Sequence, residues 1–192
     1  MMKSVLIAIR PQWVEKIASG QKTIEVRKSA PKEVPFKAYI YETKGQYVKF
    51  THGAHTKYGY GRGKVIGEFI CDRIICSQAY FDSQGKNHLT NVFPDDIKKT
   101  GLDEYDLWDY IAGKAVKANQ MYDGYLWHIS DLKIYDKPKE LSEFYTKKKC
   151  NSCNKSGYES TACMYYEDCK VPMSITRAPL SWQYIEDLGE EE

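Results

Sequence analysis

Apolar and polar positions at the start of the chain predict a strand, a helix and a second strand. Residues 5–9 form an uninterrupted apolar run, which is typical of a buried strand. Pro11 follows, and proline suits the first turn of a helix. The helix is predicted over 11–19, with one apolar face made of Trp13, Val14, Ile17 and Ala18. Gly20 then ends the helix, and a second strand is predicted over 22–28.

The rest of the pattern predicts four more strands and one more helix. The helix is expected over 102–113, with Asp103 as its N-cap. Its expected core residues are Tyr105, Leu107, Trp108 and Ile111. A loop with two prolines separates the second strand from the third. The strands are expected over residues 36–42, 65–77, 124–135 and 180–188. This order predicts a single α+β domain of residues 1–192, built round a curved sheet or barrel of five or six strands.

Charge is distributed unevenly along the chain. Residues 1–64 contain 13 Lys and Arg against four Asp and Glu, and residues 65–192 contain 15 against 22. The stretch 44–64 has five glycines, four aromatic residues, five Lys or Arg and no acid, so we expect a flexible basic loop rather than a helix. Basic residues interleaved with aromatic ones suit single-stranded nucleic acid, although a solvated connection between strands fits equally well.

The predicted strand 22–28 carries the most suggestive polar cluster. With a period of two, Thr23, Glu25 and Arg27 share one face, and the stem of Lys22 lies with the apolar residues on the other. An acid and two cations directly after a glycine turn indicate a ligand site. The alternative is an ordinary exposed ion pair between Glu25 and Arg27, which would contribute about 0.2–1 kcal/mol.

Four cysteines lie in a lysine- and serine-rich segment with few aliphatic residues. Their order is Cys150, Cys153, Cys163 and Cys169, which makes two close pairs. A segment that cannot bury its own core needs a staple, and four thiolates suit tetrahedral zinc. We therefore expect a structural Zn²⁺ in a cysteine-rich insertion at 147–170. Two disulfides or four free thiols remain as alternatives. Cys71 and Cys76 lie in an apolar strand and are expected to be packed thiols.

Residues 5–9 are too short for a secretory signal, and no apolar stretch approaches the length of a membrane span. We therefore expect a cytoplasmic protein, in which cysteines are thiols or metal ligands.

The motifs resemble those of the activating-signal-cointegrator homology (ASCH) domain, in the PUA-like group, and especially its larger prokaryotic and phage-borne members. The first motif is the apolar entry at 4–11 followed by a helix. The second is Gly20-x-Lys22-x-x-Glu25-x-Arg27, which looks like the family hallmark. Further matches are the strand 65–69, the segment 125–138 and the segment 178–182. The resemblance covers residues 4–144 and 175–188.

The resemblance implies a PUA-like β-barrel of five or six strands with flanking helices, and a cleft beside the first helix that takes RNA or a modified nucleoside. One branch of the family is an amidohydrolase that deacylates N4-acetylcytidine with a lysine, a threonine and a distant glutamate. Carried over, the lysine falls on Lys22 and the glutamate on Glu68, but Glu25 stands at the threonine position.

We therefore expect an RNA- or nucleotide-binding module whose basic cleft recognises a nucleobase or modified nucleoside. Lys22 and Arg27 would supply cations for phosphate, and Glu25 would accept from an exocyclic amine. Arg27 could also bond a base edge, and Trp13, Trp182 or Tyr184 would stack on the base. The expected ligand-binding residues are Lys22, Glu25, Arg27, Arg10, Trp13 and Trp182. The alternatives are the amidohydrolase with Lys22 and Glu68 as catalytic residues, a ribonuclease that uses His52, His55 or His128, and a docking module for another protein.

Overall fold

The computed structural model of the chain describes residues 2–52, 55–113, 117, 120–146 and 173–186. Within these ranges the protein is mostly sheet with three α-helices, which confirms the α+β class predicted from the pattern. The α-helices are α1 (Pro11–Ala18), α2 (Pro94–Thr100) and α3 (Glu104–Ala112). A single 3₁₀ turn covers Leu141–Glu143. Among the described residues, none of the helices has the length and apolar character needed to cross a membrane.

Thirteen strands are assigned in the described part of the chain. In chain order they are β1 (Lys3–Ile9), β2 (Ile24–Arg27), β3 (Phe36–Glu42), β4 (Gln46–His52), β5 (His55–Tyr60), β6 (Val65–Cys71), β7 (Ile74–Phe81), β8 (Asn87–Leu89), β9 (Tyr122–His128), β10 (Ser130–Lys139), β11 (Tyr145–Thr146), β12 (Met173–Ser174) and β13 (Trp182–Ile185).

A five-stranded sheet in the order β10-β6-β3-β1-β13 forms the centre of the molecule. Strands β1 and β3 are parallel, and the other pairs are antiparallel. Because successive side chains point to opposite faces, β1 contributes to two cores. Val5, Ile7 and Ile9 face the core that also holds α1 and Trp127, whereas Leu6 and Ala8 face a second core with Tyr39 and Phe144.

A four-stranded sheet in the order β2-β9-β7-β8 packs against this assembly. One face of β2 and β9 carries Ile24, Val26 and Leu126, and it packs on α3 through Leu107 and Ile111. The other face of β9 carries Trp127, which is fully buried in the core shared with β1. Strand β2 therefore lies with one face toward α3 and the other toward the interior between the sheets.

Several predicted elements differ in their limits. The strand expected over 65–77 is two strands, β6 and β7, because the chain turns at Asp72 and Arg73. The strand expected over 124–135 is likewise divided into β9 and β10. The expected loop at 44–64 contains a two-stranded hairpin, β4–β5, and helix α2 was not anticipated. The early helix, the helix at 102–113 and the strands at 5–9 and 36–42 are confirmed. Tyr105, expected in the core, is instead 66% exposed, because it lies on the solvent side of α3, away from Leu107, Trp108 and Ile111.

The outer strands β10 and β13 of the five-stranded sheet are not paired with each other in the described ranges, so the barrel that the resemblance implies is not seen as a closed one. The cysteine-rich insertion at 147–170 lies outside the described residues.

Candidate functional site

The turn between α1 and β2 carries Lys22 to the same side as Glu25. Ser19 caps the helix, Gly20 adopts a positive φ of 74°, and the backbone N–H of Lys22 donates to the carbonyl of Lys16. Strand β2 begins only at Ile24. The period-two assignment of Lys22 to the opposite face was therefore wrong, because this residue precedes the strand and its direction is fixed by the turn.

Glu25 lies between the two cations of the hallmark. Its Oε2 is 3.3 Å from Lys22 Nζ, and its Oε1 is 3.1 Å from Arg27 Nη2. The side chain of Glu25 is 7% exposed, that of Lys22 3% and that of Arg27 11%. The ammonium, the carboxylate and the guanidinium are therefore in mutual contact, and their burial excludes the ordinary exposed ion pair that was the alternative.

The ammonium of Lys22 already has three partners. It donates to the carbonyl oxygens of Ile24 at 2.7 Å and Thr100 at 2.6 Å, and it faces the Glu25 carboxylate. Thr100 is the last residue of α2, so this helix supplies a partner that sequence reasoning did not foresee. Burial lowers the pKa of Lys22, and the Glu25 carboxylate opposes that shift. Because an ammonium has three donors, the described contacts use all of them.

Arg27 is only partly used by its neighbours. Its Nη2 donates to the carbonyl of Ala8 at 2.7 Å and meets Glu25, whereas its Nε has no hydrogen-bond partner among the described residues. Tyr110 of α3 lies beside it. Burial raises the pKa of Tyr110, and the positive charges of Arg27 and Arg10 act in the opposite direction. Sequence reasoning missed Tyr110, because nothing in the local pattern of α3 relates it to β2.

Two buried N–H groups without hydrogen-bond partners among the described residues lie on one face at this point of the fold, Arg27 Nε and Trp127 Nε1. Beside them, Glu25 Oε2 makes no hydrogen bond there and is held only by the ion pair with Lys22 at 3.3 Å. Glu25 and Trp127 are directly opposite each other on β2 and β9, and Arg27 lies two residues from Glu25 on the same face. Buried polar groups are almost always hydrogen-bonded in folded proteins, so a cluster of unpartnered ones indicates a place where a water or a ligand polar group belongs.

Aromatic rings extend from Trp127 toward the surface. Trp182 packs edge-on against Trp127, with 5.8 Å between ring centroids, and against Tyr184 at 5.3 Å. The indole N–H of Trp182 donates to the Oγ and the carbonyl of Ser29. Trp182 is half-buried and Tyr184 is 39% exposed. The predicted ligand residue Trp182 therefore lies next to the unpartnered cluster.

The other two predicted ligand residues, Arg10 and Trp13, lie at the start of α1. Arg10 is exposed at the N-cap of α1, and its guanidinium has no hydrogen bond or ion pair within the described ranges. Trp13 is on the far side of Lys22, where the ammonium groups of Lys16 and Lys22 lie 4.8 and 5.4 Å from its ring. Because two cations already contact this ring, Trp13 supports Lys22 in the structure.

The structure does not bring Glu68 to Lys22. Glu68 pairs with Tyr39 across β6 and β3, on the face of the five-stranded sheet that bears the second core. There its carboxylate accepts a short hydrogen bond from Tyr135 and lies 4.0 Å from Lys37 Nζ. Lys22 follows α1, which packs on the opposite face. The expected pairing of Lys22 with Glu68 at one catalytic centre is wrong in this geometry, because strand alternation separates the two.

Among the described histidines, His128 does not join the triad. It pairs with Ile24, so it lies on the other face of β9, and its Nδ1 is 2.7 Å from Asp72 Oδ1. The side chains of His52 and His55 fall outside the described part of the structure. The same holds for the predicted zinc ligands Cys150, Cys153, Cys163 and Cys169. No group of three or more His, Cys, Asp or Glu suited to a metal ion is found in the residues that the structure does describe.

No protein-family model and no curated protein matches the chain. Among solved structures, the chain is similar to ASCH from Zymomonas mobilis, with 19% identity, a TM-score of 0.46, and coverage of 72% of this chain and 74% of that one. A tyrosine-to-phenylalanine mutant of that protein matches with 17% identity, a TM-score of 0.43 and coverage of 72% and 76%. A serine-to-alanine mutant matches with 15% identity, a TM-score of 0.48 and coverage of 96% and 89%. These similar structures bear the name of the family that the sequence motifs resemble.

Proposed function

We propose that this chain is an ASCH-type module that binds a nucleobase of RNA, or a free nucleoside, at the interior face of β2 and β9. The observation that carries the proposal is a pair of buried N–H groups without hydrogen-bond partners, Arg27 Nε and Trp127 Nε1, beside Glu25 Oε2, which has only its ion pair with Lys22. The two N–H groups donate, and the carboxylate oxygen can accept a further hydrogen bond, so the cluster suits a ligand edge that offers both kinds of group.

A cytosine-type edge matches this requirement. Its exocyclic amine donates to a carboxylate, as Glu and Asp commonly accept from cytosine. Its ring nitrogen and carbonyl oxygen accept from N–H donors, a role that Arg27 Nε and Trp127 Nε1 would fill. Trp182 lies beside Trp127, and Tyr184 lies beside Trp182, so these rings offer a surface on which the base can stack.

Lys22 takes a positioning role in this proposal. Its ammonium is held by two backbone carbonyls and faces Glu25, so it fixes that carboxylate in place. Phosphate contacts fall instead to the exposed cations, Arg10 and Lys28. The ammonium of Lys28 lies 5.8 Å from the ring of Tyr110, beside Arg27.

The amidohydrolase alternative has less support in this geometry. It needs a lysine whose nitrogen can take a proton, a hydroxyl nucleophile and a glutamate at the same centre. Here the Lys22 nitrogen donates to Ile24 and Thr100, position 25 is a carboxylate, and Glu68 lies on another sheet face. Release of cytidine from N4-acetylcytidine by the wild type, and its loss in Lys22→Ala, would nevertheless establish that activity.

The test of binding uses a substitution that keeps charge and removes one donor. Arg27→Lys retains a cation for Glu25 but lacks the Nε–H, and Arg73→Lys makes the same change at an exposed arginine between β6 and β7. We expect cytidine to bind the wild type and Arg73→Lys equally, and Arg27→Lys about fivefold or more weakly. Equal affinity for all three proteins, with normal folding, would contradict the proposal.

Binding of a single-stranded RNA should add a salt-dependent component. Affinity measured at two salt concentrations is expected to fall steeply with salt, because phosphate contacts release counterions. An affinity for RNA that does not change with salt would argue against the role given to Arg10 and Lys28.

A further inference from the structure

The hairpin β4–β5 has two faces of different character. The register places Gln46 opposite Tyr60 and Val48 opposite Tyr58, and between these pairs Tyr47 lies opposite Gly59. Directly opposed residues point to the same side of a two-stranded sheet. One face therefore carries Val48, Tyr58 and Tyr60, and the other carries Tyr47 over Gly59.

The Tyr47 face is anchored to helix α1. The hydroxyl of Tyr47 donates to Glu15 Oε2 at 3.0 Å, and Lys49 Nζ lies 3.3 Å from Glu15 Oε1. Gly59 leaves room for this arrangement, since a Cβ there would lie 2.5 Å from the Tyr47 ring. An isolated two-stranded hairpin is marginal in water, so this docking on α1 gives the ribbon a fixed direction.

The opposite face is apolar and open. Val48 is 54% exposed, Tyr58 49% and Tyr60 71%, and these three residues are neighbours across the two strands. Adjacent exposed apolar groups of this kind mark interaction surfaces more often than single exposed residues do. Among the described residues, no hydrogen bond or ring contact holds the side chains of Tyr58 and Tyr60, so both rings are available to stack on a planar partner.

The positive charge around the hairpin favours a negatively charged partner. The stretch 44–64 holds five Lys or Arg and no Asp or Glu. Lys49, Arg62 and Lys64 meet carboxylates from outside this stretch, but their side chains remain 39%, 58% and 41% exposed. Lys44 is also exposed. Exposed ion pairs of this kind contribute little, so phosphates can compete for these cations.

We propose that the face of Val48, Tyr58 and Tyr60 is a stacking platform for single-stranded nucleic acid that is continuous with the nucleobase site at β2. Exposed rings bordered by cations are the two components that such proteins combine. The hairpin ends next to α1, because a Cβ at Gly61 would lie 2.5 Å from the ring of Pro11, which directly follows Arg10. This platform extends the proposed function and rests on it for the path of the bound nucleic acid, which would run from the hairpin across Arg10 to Arg27.

The test compares two ligands on the same variants. Fluorescence anisotropy measures the affinity for a labelled 12-nucleotide single-stranded RNA, and calorimetry measures the affinity for cytidine. The variants are Tyr58→Ala, Tyr60→Ala and Tyr58→Phe, and the control is Tyr105→Ala, which removes a comparably exposed tyrosine (66%) from α3. We expect each hairpin alanine to weaken RNA binding about fivefold or more, with Tyr58→Phe and Tyr105→Ala unchanged.

Cytidine affinity separates the two proposals. If cytidine binds all hairpin variants normally while RNA binding falls, both proposals are supported. If RNA binding falls and the wild type binds no cytidine, the platform stands and the nucleobase site fails. If the alanines leave RNA affinity unchanged, the platform is refuted. Parallel titrations with DNA of the same sequence show whether the 2′-hydroxyl contributes.

Discussion

Replacing Glu25 with glutamine tests whether the buried triad is held together by its charge. The amide keeps the shape of the side chain and can still accept a hydrogen bond, but it removes the negative charge between Lys22 at 3.3 Å and Arg27 at 3.1 Å. Lys22 is only 3% exposed, so its ammonium has no access to bulk water as compensation. Leaving one partner of a buried pair uncompensated costs about 3–5 kcal/mol.

We therefore expect Glu25→Gln to lower the free energy of unfolding by about 3 kcal/mol, at the low end of that range because the amide oxygen still accepts from Lys22. With a slope of about 2 kcal/mol per molar urea, the midpoint of urea unfolding would fall by about 1.5 M. Far-ultraviolet circular dichroism follows the transition, and an unchanged slope confirms that only stability has changed.

A double-mutant cycle with Lys22→Met identifies the cause. Methionine keeps an apolar stem in the same place and removes the buried charge. In the double variant, the ammonium that Glu25→Gln would leave without its carboxylate is absent. The loss in the free energy of unfolding should therefore be smaller than the sum of the two single losses by about 1–3 kcal/mol. Losses that add within about 0.5 kcal/mol, or a Glu25→Gln variant as stable as the wild type, would refute the argument that these charges are coupled.

Three further predictions address titratable groups and the cysteines. Burial lowers the pKa of Lys22 from its ordinary value of 10.5, so as pH rises the folded state loses this proton before the unfolded state does. In urea titrations, the stability of the wild type relative to Lys22→Met should therefore rise with pH between the folded pKa and 10.5. A stability difference that does not change with pH up to 10.5 would contradict this. Burial raises the pKa of the Cys71 thiol to about 12, so iodoacetamide at pH 8 should label the exposed Cys76 much faster when peptides are mapped by mass spectrometry, and equal labelling would show that Cys71 is accessible. The sequence-based proposal of a structural zinc predicts one metal per chain by elemental analysis, lost in Cys150→Ser, whereas a metal-free wild type would remove it.

The sequence predicts those elements whose apolar pattern is continuous. Residues 5–9 and 36–42 are buried runs, and both are strands of the central sheet. The division between β6 and β7 was not predicted, because Asp72 and Arg73 make the turn without a glycine or proline to signal it. The glycines of residues 44–64 predict a loop, whereas the structure has the hairpin β4–β5, in which Gly59 belongs to a strand and makes room for Tyr47.

The candidate site could be predicted in part for a similar reason. The spacing of Glu25 and Arg27 on one strand gives their common face directly. The positive φ of Gly20 and the partner carbonyl of Thr100 decide where Lys22 points, and neither follows from a local period. Trp127 and Tyr110 join the site through β9 and α3, about a hundred residues away in the sequence, and a local pattern carries no information on contacts at that range.

The most direct measurement of the central claim is an NMR titration of the chain with cytidine, observing the side-chain N–H signals of Arg27 Nε and Trp127 Nε1. Both groups lack partners within the described structure, whereas the indole N–H of Trp182 is already bonded to Ser29. We predict that the signals of Arg27 and Trp127 move together and saturate with one equivalent of bound nucleoside, and that the Trp182 signal moves less. Signals of Arg27 and Trp127 that stay unchanged at saturating cytidine would contradict the account.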